Sequence, residues 1–310
     1  MPIRPLGNTG ILVSEIGFGG WQLGNGRDFA PMLDADAVRL VHAALDRGCN
    51  LFDTAPNYGH GASESLLGNA LRGRRSSAVI SSKFGHHSDG VTDFDARKMS
   101  ASVEQSLARL QTDYLDVLLL HNPPLEVLNG TSPQFEMLRK LQQQGKIRSY
   151  GASVDWSREV LALLNTTDAQ VIELLFNIFH QEPAVAFDRI EKQQVGVIVK
   201  VPLDSGWLSG RYDAASRFTG IRARWTPAVV ARRAELVEHV RVLAAGSSLT
   251  HAALRFILAF PAVSSVIPGI RDQAQLADNL SASDLTMPEQ TVQQLREFWR
   301  QNLEADPLPW

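Results

Sequence analysis

Short apolar runs that end in small or polar residues recur along the chain, and the segments between them carry apolar residues three and four apart with polar opposite faces. The first pattern predicts strands buried on both sides, and the second predicts amphipathic helices packed against them. Eight such runs occur, at residues 15–19, 50–53, 78–83, 115–121, 147–152, 171–176, 196–201 and 264–268. Helical spacing occupies 36–47, 63–72, 95–110, 133–144 and 156–164. Repetition of this βα unit predicts an α/β fold, a (β/α)8 TIM barrel.

Ahead of the first run, residues 3–6 and 11–15 flank Gly7-Asn8-Thr9-Gly10, whose turn chemistry predicts an N-terminal β-hairpin that caps the barrel floor. A long insertion after strand seven, at 204–226, is the expected lid. Its Trp207 and Trp225 read equally well as lid anchors or as local core, while Arg222, Arg224, Arg232 and Arg233 read as a solvated face. The tail from Pro288 contains a helix and ends in Pro307-Leu308-Pro309-Trp310, placed either over the barrel mouth or on its wall. A doubly wound sheet is the rival architecture. Against it, Gly17-Phe18-Gly19-Gly20-Trp21-Gln22 has Gln22 where the third glycine of the dinucleotide fingerprint belongs.

Composition narrows the partners. A chain of 310 residues that is 44% apolar and 20% charged suits one barrel domain over 1–310 with a sizeable core. The formal net charge of -3, with no basic run, lacks the field that draws nucleic acid or an anionic membrane, so a small molecule is the expected partner. No segment reads as a self-association surface, which leaves the oligomeric state open. The single Cys49 reads as a packed thiol in a reducing compartment. The opening residues lack a signal-peptide core and no stretch reaches the ~18 apolar residues of a membrane span, so a cytoplasmic location is expected.

In a parallel barrel the reactive groups sit where strands finish, at the C-terminal face. Asp53 ends the second run, Tyr58 follows it in a short loop, Lys83 ends the third and His121 ends the fourth. A phenol holds its proton tightly near neutral pH, and a nearby ammonium such as Lys83 is expected to loosen it. Asp53 would hold Lys83 by an ion pair, and His121 would orient a carbonyl oxygen by a hydrogen bond. Such a group suits proton transfer at an alcohol oxygen while hydride moves at the adjacent carbon. His60, His86, His87 and Asp89 lack the spacing of a known metal site, and no metal is expected.

The segment Phe52-Asp53-Thr54-Ala55-Pro56-Asn57-Tyr58-Gly59, then Ser63-Glu64 at a helix start, then a strand-end lysine and a strand-end histidine, resembles the aldo-keto reductase family along nearly the whole chain. The resemblance implies a nicotinamide-dependent oxidoreductase with Tyr58 as general acid in reduction, Lys83 and Asp53 tuning it, and His121 positioning the carbonyl. It also implies a cofactor site, altered in places. Ser153 is retained for the nicotinamide carboxamide, but Val154 replaces an asparagine, Glu173 stands for a glutamine, and Lys200 stands for the tyrosine on which the ring stacks. The loop 202–210, with Leu203, Ser205, Gly206 and Leu208, matches the one that wraps the pyrophosphate. Gly269 and Arg271 open the helix after strand eight, where by the resemblance Arg271 faces a 2′-phosphate and Gln275 and Asn279 reach the adenine. NADPH is therefore the expected cofactor, with NADH as the variant. Trp21, Asn122 and His86 are the expected substrate pocket. Three other activities compete: oxidation of a sugar or polyol by the same site, a Schiff-base aldolase using Lys200, and a cofactor-binding regulatory subunit.

Overall fold

The computed structural model describes residues 1–244 and 246–309; Trp310, part of the expected tail, lies outside the described residues. Strands β1 (Ile3–Pro5) and β2 (Leu12–Ser14) pair antiparallel as the expected hairpin. Eight parallel strands follow: β3 (Phe18–Gly19), β4 (Leu51–Asp53), β5 (Val79–Phe84), β6 (Leu115–His121), β7 (Ile147–Val154), β8 (Val171–Leu175), β9 (Gly196–Lys200) and β10 (Ser265–Val266). Each pairs with its neighbours in chain order, and parallel bridges at Ile16–Val266 and Gly19–Gly269 join the first to the last. The ring closes as a (β/α)8 barrel. Its helices include α1 (Asp34–Asp46), α2 (Ala62–Leu71), α3 (Ala96–Leu110), α4 (Pro133–Gln143), α5 (Ser157–Thr166) and α6 (Phe187–Gln193). Four more follow β9: α7 (Pro227–Leu243), α8 (Leu249–Leu258), α9 (Gln273–Ser281) and α10 (Glu289–Asn302).

The first and last strands are shorter than their apolar runs because they meet only at the seam, where isolated bridges replace a continuous ladder. Strand β7 is longer than expected, since Ser153 and Val154 stay in register with Glu173 and Leu174 of β8. That extension carries Ser153 to the reactive end of the barrel.

Apolar residues of the hairpin, Leu6, Ile11 and Val13, pack with Leu51, Val79, Val117, Leu119, Val171, Ile198 and Ile267 inside the barrel. The floor is thus plugged by side chains. Arg4 and Arg255 both pair with the buried Glu15, at 2.8 and 3.0 Å, and lock the hairpin to α8. Gly7, at φ +56, passes so close to the chain that a Cβ would meet the Gln194 carbonyl at 2.4 Å, so a side chain there would open the plug. Cys49 is fully buried, and burial pushes its thiol up to about 12.

The insertion after β9 builds its own small core. Trp207 packs against Tyr212, Phe218 and Trp225, with ring centroids 5.6, 5.7 and 6.1 Å away, so both tryptophans are core. The expectation of a solvated arginine face fails at α7. Arg233 is 1% exposed, pairs with the buried Asp204, lies over the Trp225 ring and donates to the Pro309 carbonyl. Arg232 pairs with Asp306 at 2.9 Å, so the described part of the tail lies along the wall beside α7. An Arg233→Ala protein is expected to lose about 3–5 kcal/mol of stability in urea unfolding, because Asp204 is left as a buried charge without its partner. A loss near zero would mean that Asp204 turns out to water instead. No helix among the described residues is long and apolar enough to cross a membrane.

Candidate active site

Three adjacent strands bring the expected group together. Asp53 is the last residue of β4, Lys83 lies one residue before the end of β5, and His121 ends β6. Tyr58 arrives from the loop after β4, turned by a hydrogen bond from its N–H to the Ala55 carbonyl at 3.1 Å. Gly59 makes that turn possible, at φ +56 and with its Cβ position 2.7 Å from the Gly24 carbonyl oxygen. The loop is fastened behind. The Ser63 hydroxyl donates to the Gly20 carbonyl, and the fully buried Glu64 pairs with Arg109 at 2.7 Å while accepting from Ser82.

At the centre, Lys83 Nζ donates to both Asp53 carboxylate oxygens at 2.6 Å and to the Thr54 carbonyl at 3.1 Å. It also faces Glu173 Oε2 at 3.3 Å and lies 5.2 Å from the Tyr58 ring centroid. Two buried carboxylates therefore share one ammonium. Burial and the charge of Glu173 push Asp53 well above the usual carboxylate range, against the pull of Lys83. Burial also pushes Glu173 up, but the ammonium groups of Lys83 and Lys200 outweigh it and hold Glu173 low. Burial works against the Lys83 charge, and Asp53 and Glu173 more than restore it, so Lys83 stays an ammonium.

The phenol departs from the expectation of a loosened proton. Desolvation raises Tyr58 above its ordinary value, Lys83 opposes this, and Asp53 and Glu173 add to it. The ammonium is spent on two carboxylates rather than one. Tyr58 is thus protonated throughout the neutral range. His121, whose ring meets Tyr58 edge-on at 6.0 Å and His86 at 4.8 Å, is driven well below its ordinary value by burial and then by Lys83 and Lys200. It is a neutral imidazole, with Nδ1 buried and without a hydrogen-bond partner among the described residues.

A second cluster adjoins the first. Ser153 donates to Glu173 Oε1 at 2.9 Å and accepts from Lys200 Nζ at 2.8 Å. Lys200 also donates to Asn122 Oδ1 at 2.7 Å and pairs with Asp155 at 2.8 Å. All of these contacts use Lys200 as a donor, the opposite of the free amine that a Schiff base requires.

A cavity of about 340 Å³ opens over these groups. Asp53, Tyr58, His121, Glu173, Lys200, Leu203, Ser205, Gly206, Gly269, Gln275, Asn279 and Trp21 line it. Lys83 and Ser153 lie buried behind that wall. The Leu208 side chain is fully buried and does not line the cavity. Arg271 is exposed and does not line the cavity, its backbone N–H donating to Gln275 Oε1, and the N-terminus of α9 is capped by the Asp272 carboxylate. His86 and Asn122 do not line the cavity: His86 meets the His121 ring edge-on, and the exposed Asn122 accepts from Lys200. Sequence reasoning missed Phe29, Arg211, Tyr212 and Thr250, which line the cavity; Arg222 and Arg224, read as a solvated face, border it too, Arg222 half-buried and Arg224 exposed. Phe29 meets Trp21 edge-on at 5.1 Å and lies under Arg222 at 5.6 Å, a contact between two loops far apart in sequence.

The parallel barrel thus gathers a phenol, an ammonium held by carboxylates and a neutral imidazole at its C-terminal mouth. The aldo/keto reductase family model matches residues 15–300, and the chain belongs to that family of oxidoreductases. L-galactose dehydrogenase of Arabidopsis thaliana is 30% identical over 309 residues, which cover 94% of this chain and 92% of that protein. The 6-dehydroglucose reductase of Novosphingobium aromaticivorans is 30% identical over 90% of this chain and 89% of its own. Among solved structures, the holo form of an aldo-keto reductase from Bacillus halodurans superposes with a TM-score of 0.83 at 27% identity, covering 96% of each chain.

Proposed function

We propose that the protein reduces aldehydes or ketones to alcohols with NADPH. The observation that carries this reading is the convergence of Tyr58, His121 and the Lys83–Asp53 pair on a cavity that Ser205, Gly206, Gln275 and Asn279 also line. The cavity suits a dinucleotide. Arg211, Arg222 and Arg224 face the same space as Ser205 and Gly206, whose left-handed backbone (φ 56 and 102) brings small residues toward it, a donor set that favours a pyrophosphate.

The bound cofactor supplies the hydride. Tyr58 donates its proton to the carbonyl oxygen as negative charge develops there, and the phenolate that remains lies within reach of the Lys83 ammonium. His121, neutral, donates a hydrogen bond to the same oxygen and fixes its direction. Trp21 and Phe29 form an apolar wall that excludes water from the reacting groups.

The same groups run in reverse would oxidise a sugar or polyol hydroxyl, with the Tyr58 phenolate as base. Similarity to a dehydrogenase and a reductase, each named for a sugar, keeps this second reading in view. A regulatory subunit would bind cofactor tightly and turn over slowly or not at all. An aldolase role for Lys200 has no support from the relatives or from its contacts.

The test is a fluorescence titration with NADPH and, separately, NADH. NADPH is expected to bind more tightly than NADH, and Arg222→Ala, which removes a guanidinium lining the cavity, to weaken both by about tenfold, the usual worth of one charged hydrogen bond. Equal affinity for NADH would overturn the choice of NADPH and favour the dehydrogenase. Binding of neither would overturn the reading as a whole.

A further inference from the structure

Glu173, the middle residue of β8, has both oxygens committed to the protein. Oε1 accepts from Ser153 at 2.9 Å, and Oε2 faces Lys83 Nζ at 3.3 Å as an ion pair without the alignment of a hydrogen bond. A residue whose sequence position suggests a contact to the nicotinamide amide, and which lines the cavity, is also bound into the Lys83–Asp53 ion pair. We propose that Glu173 is a second counter-ion of Lys83, competing with Tyr58 for the ammonium's charge and thereby setting the pH range over which the phenol keeps its proton.

The geometry makes the competition direct. Lys83 Nζ is bracketed by Asp53 of β4 and Glu173 of β8, while the Tyr58 ring centroid lies 5.2 Å from it. Lys83, Asp53 and Glu173 are buried and Tyr58 is half-buried beside them, so the charges of the three are poorly screened. The other charged or titratable groups facing Glu173 are also fixed. Lys200 of β9 reaches it through the Ser153 hydroxyl of β7, adds its pull to that of Lys83 and is itself paired with Asp155, and His121 of β6 is uncharged. At the alkaline pH where a phenol titrates, the Lys83 group carries two carboxylates and one ammonium, a net negative charge that opposes a phenolate. Removing one carboxylate leaves a balanced pair and favours the phenolate.

This assignment rests on the proposed role of Tyr58 as proton donor, but its measurement does not require turnover. Tyrosinate absorbance is followed through an alkaline titration of the protein and of Glu173→Gln, each corrected by subtracting the same protein carrying Tyr58→Phe, which removes Tyr114, Tyr150 and Tyr212 from the signal. The Tyr58 step is expected about 1 pH unit or more lower in Glu173→Gln, and unmoved in Glu173→Asp, which keeps the charge. In the oxidising direction, where phenolate is the base, the pH optimum should move down by the same amount. If Glu173→Gln does not fold, Glu173→Met serves as the second neutral variant of similar length. A Tyr58 step that stays in place or moves up in a folded neutral variant overturns the proposal. Failure of cofactor to bind, with the optical shift present, would overturn the proposed function and leave the assignment of Glu173 intact.

Discussion

Tyr58→Phe is expected to lower kcat/KM for carbonyl reduction by about 10²–10⁴-fold, the usual contribution of a positioned general acid, while leaving cofactor affinity unchanged. The physical reason lies in the rest of the site. His121 is a neutral imidazole, Lys83 is held as an ammonium by two carboxylates, and Asp53 is turned toward Lys83 at 2.6 Å, so none of them is placed to replace the lost phenolic proton. Phenylalanine retains the ring that meets Trp21 and His121, which makes the variant a test of the hydroxyl alone. Parallel measurements of cofactor binding and turnover separate the outcomes. A variant that binds cofactor and retains more than about a tenth of wild-type turnover would remove Tyr58 from the chemistry.

The second large effect is on stability. Lys83→Met should cost about 3–5 kcal/mol at neutral pH, because Asp53 and Glu173, both at most 3% exposed, lose the one charge they share. Without Lys83, burial and mutual repulsion raise the carboxyls in the folded state above their unfolded values. The folded protein then binds more protons than the unfolded one, so stability falls as pH rises above about 4 and the deficit is smallest in acid. Thermal unfolding of both proteins from acid to neutral pH measures this. A deficit that is the same at every pH would mean that lost packing, not charge, sets the cost. With Lys83 in its proposed role of steadying the phenolate, activity should fall even where the variant is folded.

Both effects concern residues that could be found in the sequence. Apolar runs mark the strands, and a polar residue at the end of such a run is placed at the C-terminal face by the fold itself, so Asp53, Lys83 and His121 were legible together. Tyr58 follows from its short loop. Leu208 was not legible in the same way: an apolar residue in a binding loop looks like a contact, but here its side chain is fully buried in the core.

What the sequence determined by itself is the barrel, its hairpin plug and the order of the reactive groups around its mouth, because period and strand length are local and the rule linking strand ends to chemistry is topological. What only the tertiary structure decided is where charge is neutralised. The Lys200 partners lie at 122, 153 and 155, the second carboxylate of Lys83 lies ninety positions away at 173, and Arg233 is buried only because Asp204 and Trp225 fold over it. Electrostatic pairing depends on distance in space and on exclusion of water, and neither is encoded in the spacing of residues along a chain.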